Sequence, residues 1–302
     1  MRGSLRIGQV LGINARNIDY VRRYNDRKHY PIADDKLLTK EVFSSAGVPH
    51  TRLMLACRHF HELEKLPEHL KAIDELVMKP ARGMAGGGVL LLRKRADNAF
   101  VTPAGREYTD GALVDHATRI LYGVYSIDNT TDALVVEELI HPHPFFGDLC
   151  PRGVADIRVI VFDGEAVMAM SRLPTELSDG KANLALGAVG LGIELADGQI
   201  VHAATKRGPL THHPDTGKAL VGQTVPYWKE VIRIAEKAQQ CTPLRFLGAD
   251  LVIDERRGPL VIEINVRPGL EIQNVNQKGL RPMLENHLNR RRISKGADRE
   301  DR

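Results

Sequence analysis

The chain has 302 residues, 43% hydrophobic and 26% charged, with a formal charge of +4, the make-up of a globular protein with room for one or two sizeable cores and not of a disordered or fibrous chain. Its three cysteines are far apart and form no CxxC or zinc spacing, which fits a reducing compartment and excludes a disulfide scaffold. No apolar run is long enough to span a bilayer and residues 1–6 offer no secretory signal, so a cytoplasmic protein is expected.

Residues 8–30 read as charged helix ending before Pro31. Asp34 or Asp35 is placed to cap a second helix running to about Ala46, closed by Gly47 and Pro49. Residues 50–56 read as a short strand, His59–Ile73 as a helix broken or started near Pro67, and Glu75–Lys79 as an apolar strand. Lys79 opens the run Pro80-Ala81-Arg82-Gly83-Met84-Ala85-Gly86-Gly87-Gly88, which returns as a strand over Val89–Arg93. This loop lacks the Gly-Lys-Ser/Thr ending of a P-loop and is not followed by a helix, so neither a P-loop nor a dinucleotide fingerprint is present. A glycine loop between two strands can still lay its N–H groups on phosphate oxygens, with Lys79 as a point charge. A plain mobile hairpin turn is the other reading.

Ala133–Glu138 reads as a strand ending in the hinge Glu137-Glu138-Leu139-Ile140. The Glu138 C=O and Ile140 N–H can face an adenine edge, while a buried strand with a terminal Glu explains the segment as well. Arg158–Phe162 and Ala166–Leu173 pair around the turn Asp163-Gly164. Asp156 and Arg158 share a face, and Arg172 lies on the partner strand. Two arginines on one face repel unless an anion joins them, and a phosphate or acyl-phosphate suits them. Asn183, in a following loop, is placed to donate to the same group.

Residues 178–192 and 203–224 read as loops, and Trp228–Gln240 as a helix. A hairpin follows: Gly248–Asp254, a charged turn, then Leu260–Gly269. Asp250 lies on its first strand; Glu263, Asn265 and Arg267 lie two apart along the second and share a face. Two carboxylates and a carboxamide are hard oxygen donors suited to magnesium shared with a nucleotide phosphate, although an edge hairpin can carry the same charges on its solvent face. Mixed strands and helices in this order argue an α+β fold and not a doubly wound sheet.

The ordered set Asp35-Lys36, Lys79 with its glycine loop, the Glu137–Ile140 hinge, Asp156-Ile157-Arg158, Arg172, Asn183, Asp250 and Glu263-x-Asn265 resembles the ATP-grasp fold over roughly residues 30–285. It is most similar to the branch related to RimK-type α-L-glutamate ligases. The tract from Thr211 to Gly217 and the run from Glu263 to Gln273 also resemble sugar-transfer-associated ATP-grasp proteins. The resemblance implies two α+β subdomains clasping ATP, at 34–140 and 141–288. A helical extension over 1–33 and a basic, disordered tail over 289–302 flank them.

It also implies roles. Lys36 and Lys79 would contact ATP, and Arg82, Gly83, Gly86 and Gly87 would belong to the lid loop. Glu137, Glu138 and Ile140 would hold adenine, and Asp156 the ribose hydroxyls. Asp250, Glu263 and Asn265 would hold one or two magnesium ions, or manganese. Arg158, Arg172, Asn183 and Arg267 would stabilise phosphoryl transfer. The implied activity is an ADP-forming carboxylate–amine ligase acting through an acyl-phosphate, with glutamate or an acidic peptide as one substrate. A non-catalytic ATP-binding regulator on the same fold is the competing expectation.

The segment before Lys36 reads as charged helix and not as the N-terminal α/β domain usual in such glutamate ligases, so that domain is expected to be reduced or absent. A partner protein or second copy would then complete the substrate site. The pairs His59/His61, His141/His143 and His212/His213 lack a third ligand, which argues against zinc. No basic–aromatic interleaving points to nucleic acid. The basic run Arg290–Lys295 reads as a solvated tail, or as a contact for an acidic partner.

Overall fold

The computed structural model describes residues 6–83, 86–97, 99–103, 105–126 and 130–300, with side chains through Arg291. Met84 and Ala85 of the glycine loop, and the side chains of the basic run beyond Arg291, lie outside the described residues. The fold is α+β and divides into two compact units: residues 31–45 with 50–141, and residues 1–30, 46–49 and 142–302.

In the unit of residues 31–45 and 50–141, β1 (Leu53–Cys57), β2 (Glu75–Pro80), β3 (Leu90–Lys94), β4 (Phe100–Val101), β5 (Glu107–Tyr108) and β6 (Leu134–Glu138) form an antiparallel sheet in the order β1-β6-β2-β3-β4-β5. Period-2 alternation assigns its two faces. Leu76, Met78, Leu134 and Val136 join a large apolar cluster with Leu113, Ala117 and Ile120 of α2 (Asp110–Leu121) and with Leu63, Leu66 and Leu70. Ala133 and Val135 point the other way, toward Leu37 of α1 (Lys36–Ala46). Lys79 and Glu137, in step with Val135, therefore lie on the α1 face. Asp35 caps α1, its Oδ1 accepting from Leu37 N–H at 2.8 Å. The helix expected over His59–Ile73 is a 3-10 turn, Phe60–Lys65, followed by the short helix Leu66–Leu70. Pro67 lies in its first turn, where its missing N–H costs nothing.

The other unit holds β7 (Asp156–Phe162), β8 (Glu165–Leu173), β9 (Val189–Ile193), β10 (Ile200–Thr205), β11 (Gly208–Pro209), β12 (Phe246–Asp254) and β13 (Gly258–Asn265), in the order β11-β10-β9-β8-β7-β12-β13. Helix α3 (Trp228–Gln240) packs on β7, β8, β12 and β13 and buries Val231, Ile234, Ala235 and Ala238, while Trp228 at its start donates to Leu195 C=O at 2.9 Å. Helix α4 (Glu271–Asn276) lies along β9 and β10, and α5 (Leu280–Glu300) against β8. Residues 13–24 are helical with a π turn at Arg16–Val21. They are packed into this unit: Tyr24 meets the Phe162 ring edge-on at 4.8 Å, and Asn25 bonds the backbone of Phe246 from both sides of its carboxamide. Arg290 and Arg291, from the basic run, lie in α5 and pair with Glu165 and Asp163. No helix among the described residues is long and apolar enough to cross a membrane.

Candidate functional site

Strand order places the charged residues in a row. Arg158 on β7 lies opposite Asp250 on β12, and Asp250 lies opposite Glu263 on β13. On the other side Asp156 faces Arg172 of β8. Directly opposed residues share a sheet face, so these five side chains project together. A bulge sets the last pairing: Leu251 pairs with Val261 while Asp250 pairs with Glu263, leaving Ile262 as the extra residue. It keeps Glu263 and Asn265 on the face of Asp250.

The bonds follow that geometry. Arg158 donates to both oxygens of Asp250, at 2.7 and 2.5 Å. Arg172 donates to both oxygens of Asp156, at 2.7 and 2.5 Å, and its Nη2 also reaches Asp250 Oδ2 at 3.0 Å. Asn265 Nδ2 lies 3.3 Å from Asp250 Oδ2 and 3.3 Å from Glu263 Oε1. The anion expected to join the two arginines is therefore the chain's own Asp250, whose residue is 0% exposed. Burial opposes charge on Asp250, but Arg158 and Arg172 outweigh it and hold its carboxyl well below the usual carboxylate range. Burial pushes Asp156 up to about 6, opposed by Arg172 and reinforced by Asp250.

The donor set fits magnesium in chemistry. Among the described residues no three His, Cys, Asp or Glu side chains are placed to hold a metal ion by themselves, and Asp156 is bound to Arg172, so the candidate set is the carboxylates of Asp250 and Glu263 completed by the Asn265 carboxamide. Glu263 is the member not held by a guanidinium hydrogen bond among the described residues. Asp156, Asp250 and Glu263 set three carboxylates against the two guanidiniums of Arg158 and Arg172, leaving a negative excess that a cation would balance.

Two expected members stand aside. Asn183 caps the turn Leu184–Leu186, its Oδ1 accepting from Ala185 N–H at 2.9 Å. The Arg267 guanidinium lies 5.1 Å from the Tyr30 ring centroid. Among the described residues no hydrogen bond joins either side chain to the row.

The nucleotide residues expected on the other unit are also placed. Lys36 Nζ donates to the carbonyls of Ala81 and Gly83, at 3.3 and 3.1 Å, where the glycine loop begins. Arg82 N–H donates to Asp132 at 3.1 Å. Gly86 and Gly88 have φ of +76° and +72°, a region glycine enters without penalty. Gly87 lies between them. At the hinge, Glu138 N–H donates to Arg52 C=O and its Oε1 accepts from Arg52 N–H, while Ile140 is buried.

The Glu137 carboxylate is committed inside the unit. Its Oε2 lies 2.8 Å from Lys79 Nζ and accepts from Thr51 Oγ1 at 2.7 Å. Its Oε1 faces Lys40 Nζ at 3.0 Å. Lys40 also donates to the Thr51 hydroxyl at 2.7 Å and to the Thr51 carbonyl. Sequence reasoning missed Lys40 and Thr51. The available signal was Lys40 standing four residues after Lys36, on the same helix face.

The histidine pairs have separate tasks. His59 and His61 stack, His141 pairs with Glu75, His143 caps the helix Pro144–Leu149, and His213 is buried with Nε2 on Pro174 C=O.

The family model described as sugar-transfer associated ATP-grasp matches residues 15–289. Among solved structures, biotin carboxylase from Campylobacter jejuni, in a complex with β-γ-ATP, is similar with a TM-score of 0.52 at 14% identity, over 91% of this chain and 52% of that one. The D-cycloserine synthetase DcsG gives 0.50 at 14% identity, over 92% and 79%. The ATP-grasp ligase PsnB, complexed with its minimal precursor, gives 0.48 at 15% identity, over 87% and 62%, so the chain spans about three fifths of PsnB's length. The likenesses to biotin carboxylase and DcsG are of fold. No curated protein sequence matches significantly. The family match over residues 15–289, on this two-sheet architecture, makes the chain a member of the sugar-transfer associated ATP-grasp family.

Proposed function

We propose that the protein is an ATP- and magnesium-dependent carboxylate–amine ligase. The observation that carries the reading is the row Arg172, Asp156, Arg158, Asp250, Glu263 on four adjacent strands, with Asn265 beside it. Phosphoryl transfer spreads charge over the equatorial oxygens, so fixed cations do most of the work and no side-chain nucleophile is needed. Glu263 and Asn265, with Asp250, would hold the magnesium ion, which would neutralise charge on phosphoryl oxygens. Arg158 and Arg172 are pre-oriented by bidentate carboxylates, so little rotamer freedom is lost when they meet a phosphoryl group. Lys36 and Lys79 are assigned to the nucleotide phosphates, with Arg82, Gly83, Gly86 and Gly87 as the covering loop. The hinge at Glu138 and Ile140 is assigned to adenine.

The reaction balances without a redox partner. A substrate carboxylate oxygen bonds to the γ-phosphorus as the bond to ADP breaks. An amine nitrogen then bonds to the acyl carbon, phosphate leaves with the former carboxylate oxygen, and the amine releases a proton. An acidic amino acid or peptide is the substrate class we favour. It is supported by exposed Lys181, Lys206 and Arg207 on the loops after β8 and β10, with Lys206 Nζ bonded to Ala185 C=O beside Asn183. A second copy or a partner protein completing the substrate site belongs to the same proposal, as does a cytoplasmic setting.

The test is ADP and phosphate release from magnesium-ATP across pooled carboxylates and amines, with mass detection of new amides. Amide formed in step with ADP supports the ligase. ATP binding without turnover in any pool supports the regulator instead.

A further inference from the structure

Lys36 and Lys40 are one helical turn apart on α1 and reach different parts of the same sheet face. Lys36 bonds the carbonyls that open the glycine loop, and Lys40 bonds the Glu137–Thr51 pair. Glu137 in turn holds Lys79, diagonal to it across β2 and β6, where Val77 pairs with Glu137 and Lys79 with Val135. All four members are enclosed: the side chains of Lys40, Glu137 and Lys79 are 8%, 3% and 11% exposed, and Thr51 is buried.

Two ammonium groups on one carboxylate leave a positive charge that nothing inside the quartet balances. The next carboxylate, Glu138, acts on Lys40 only as the weakest of its neighbouring charges and is itself paired with Arg52. A buried charge without a close counter-charge is costly, so such an arrangement persists where an external anion answers it. Lys79 is the shallower of the two lysines in the unit's interior, and Lys40 the deeper.

We infer that Lys40 is a positioning residue for nucleotide binding: with Thr51 it fixes the carboxylate of Glu137, which fixes Lys79 Nζ, and the quartet's excess positive charge is matched to a nucleotide phosphate. The inference rests on the ATP-binding reading above. Burial pulls the Lys40 ammonium down to about 8, against the raising effect of Glu137. The charged groups facing it are Glu137 and Glu138 of β6 and Lys79 of β2. Above that pH the quartet loses its excess charge, so the nucleotide should bind less tightly.

Calorimetric titration of the full chain with magnesium-ADP and magnesium-ATP, from pH 7 to pH 9.5, tests this. Wild type, Lys40→Met, Lys40→Arg, Thr51→Val and Lys79→Met are compared, each first checked for a cooperative melt. The expected result is a weakening of about tenfold or more for Lys40→Met, equivalent to about 1.4 kcal/mol. Lys40→Arg should partly restore affinity. A decline in wild-type affinity near pH 8 should be missing from Lys40→Met. A folded Lys40→Met that binds like wild type, while Lys79→Met does not, overturns the inference. Equal pH profiles in the two proteins overturn it as well. Failure of wild type to bind either nucleotide removes the ATP reading itself, a distinct outcome.

Discussion

Arg158 and Asp250 face each other across β7 and β12 and are joined by two hydrogen bonds of 2.7 and 2.5 Å, with Arg172 adding a third to the same carboxylate at 3.0 Å. Asp250 is thus the keystone of the row, while Glu263, opposite it, meets Asp250 and the Asn265 carboxamide and is held by no guanidinium hydrogen bond among the described residues.

The two acidic residues should therefore behave differently when neutralised. Asp250→Asn leaves two enclosed guanidiniums short of a carboxylate and should destabilise by about 3–5 kcal/mol, the usual cost of breaking a buried ion pair. Glu263→Gln should leave the melt nearly unchanged and lower magnesium-dependent ATP turnover by about 10²-fold or more, since a catalytic metal supplies several kcal/mol. Denaturant unfolding beside ADP release separates the two. Equal stability loss in both variants would sink the distinction.

Lys40 also gives a pH signature of stability with an unusual sign. Its ammonium titrates near 8 in the folded protein against an ordinary 10.5. Between those values the unfolded chain binds more protons than the folded one, so this residue's contribution to stability increases as pH rises through that window. Chemical denaturation at pH 8 and pH 10 should show that contribution as a difference between wild type and Lys40→Met. Affinity for nucleotide should move the opposite way.

Gly192 on β9 has no room for a side chain. A Cβ there would lie 2.7 Å from the Val275 carbonyl oxygen and 3.0 Å from Asn276 Cα. Gly192→Ala must push α4 away from the sheet, and should cost about 1–3 kcal/mol of unfolding free energy as overpacking does. A thermal melt checks it.

Arg290 and Arg291 pair with Glu165 and Asp163 at the surface of α5. Arg290→Ser should change stability by no more than about 1 kcal/mol, because its pair with Glu165 is exposed and screened. Adding Arg291→Ser should cost more, since its partner Asp163 has a side chain only 11% exposed, although Arg245 still holds that carboxylate. ADP release should be unaffected. Loss of ATP turnover with an intact melt would instead favour a role for the basic run in function.

What the sequence determined by itself were the local patterns. Period-2 alternation put Glu263 and Asn265 on one face, the Asp163-Gly164 turn paired β7 with β8, and the pair Asp34-Asp35 ahead of a helical pattern narrowed the cap of α1 to two residues, of which the structure uses Asp35. These depend on neighbours a few residues apart, where backbone geometry leaves few choices. The tertiary structure decided which strands lie side by side. Placing β12 next to β7 made Asp250 the anion between Arg158 and Arg172, where the sequence had suggested a phosphate. Packing α1 on the sheet of β2 and β6 brought Lys40 to Glu137, 97 positions along the chain. Helix α2, in a stretch with weak local signals, was also unseen until its buried face found the core. Such pairings are fixed by the burial of distant surfaces on one another, and no short-range pattern encodes them.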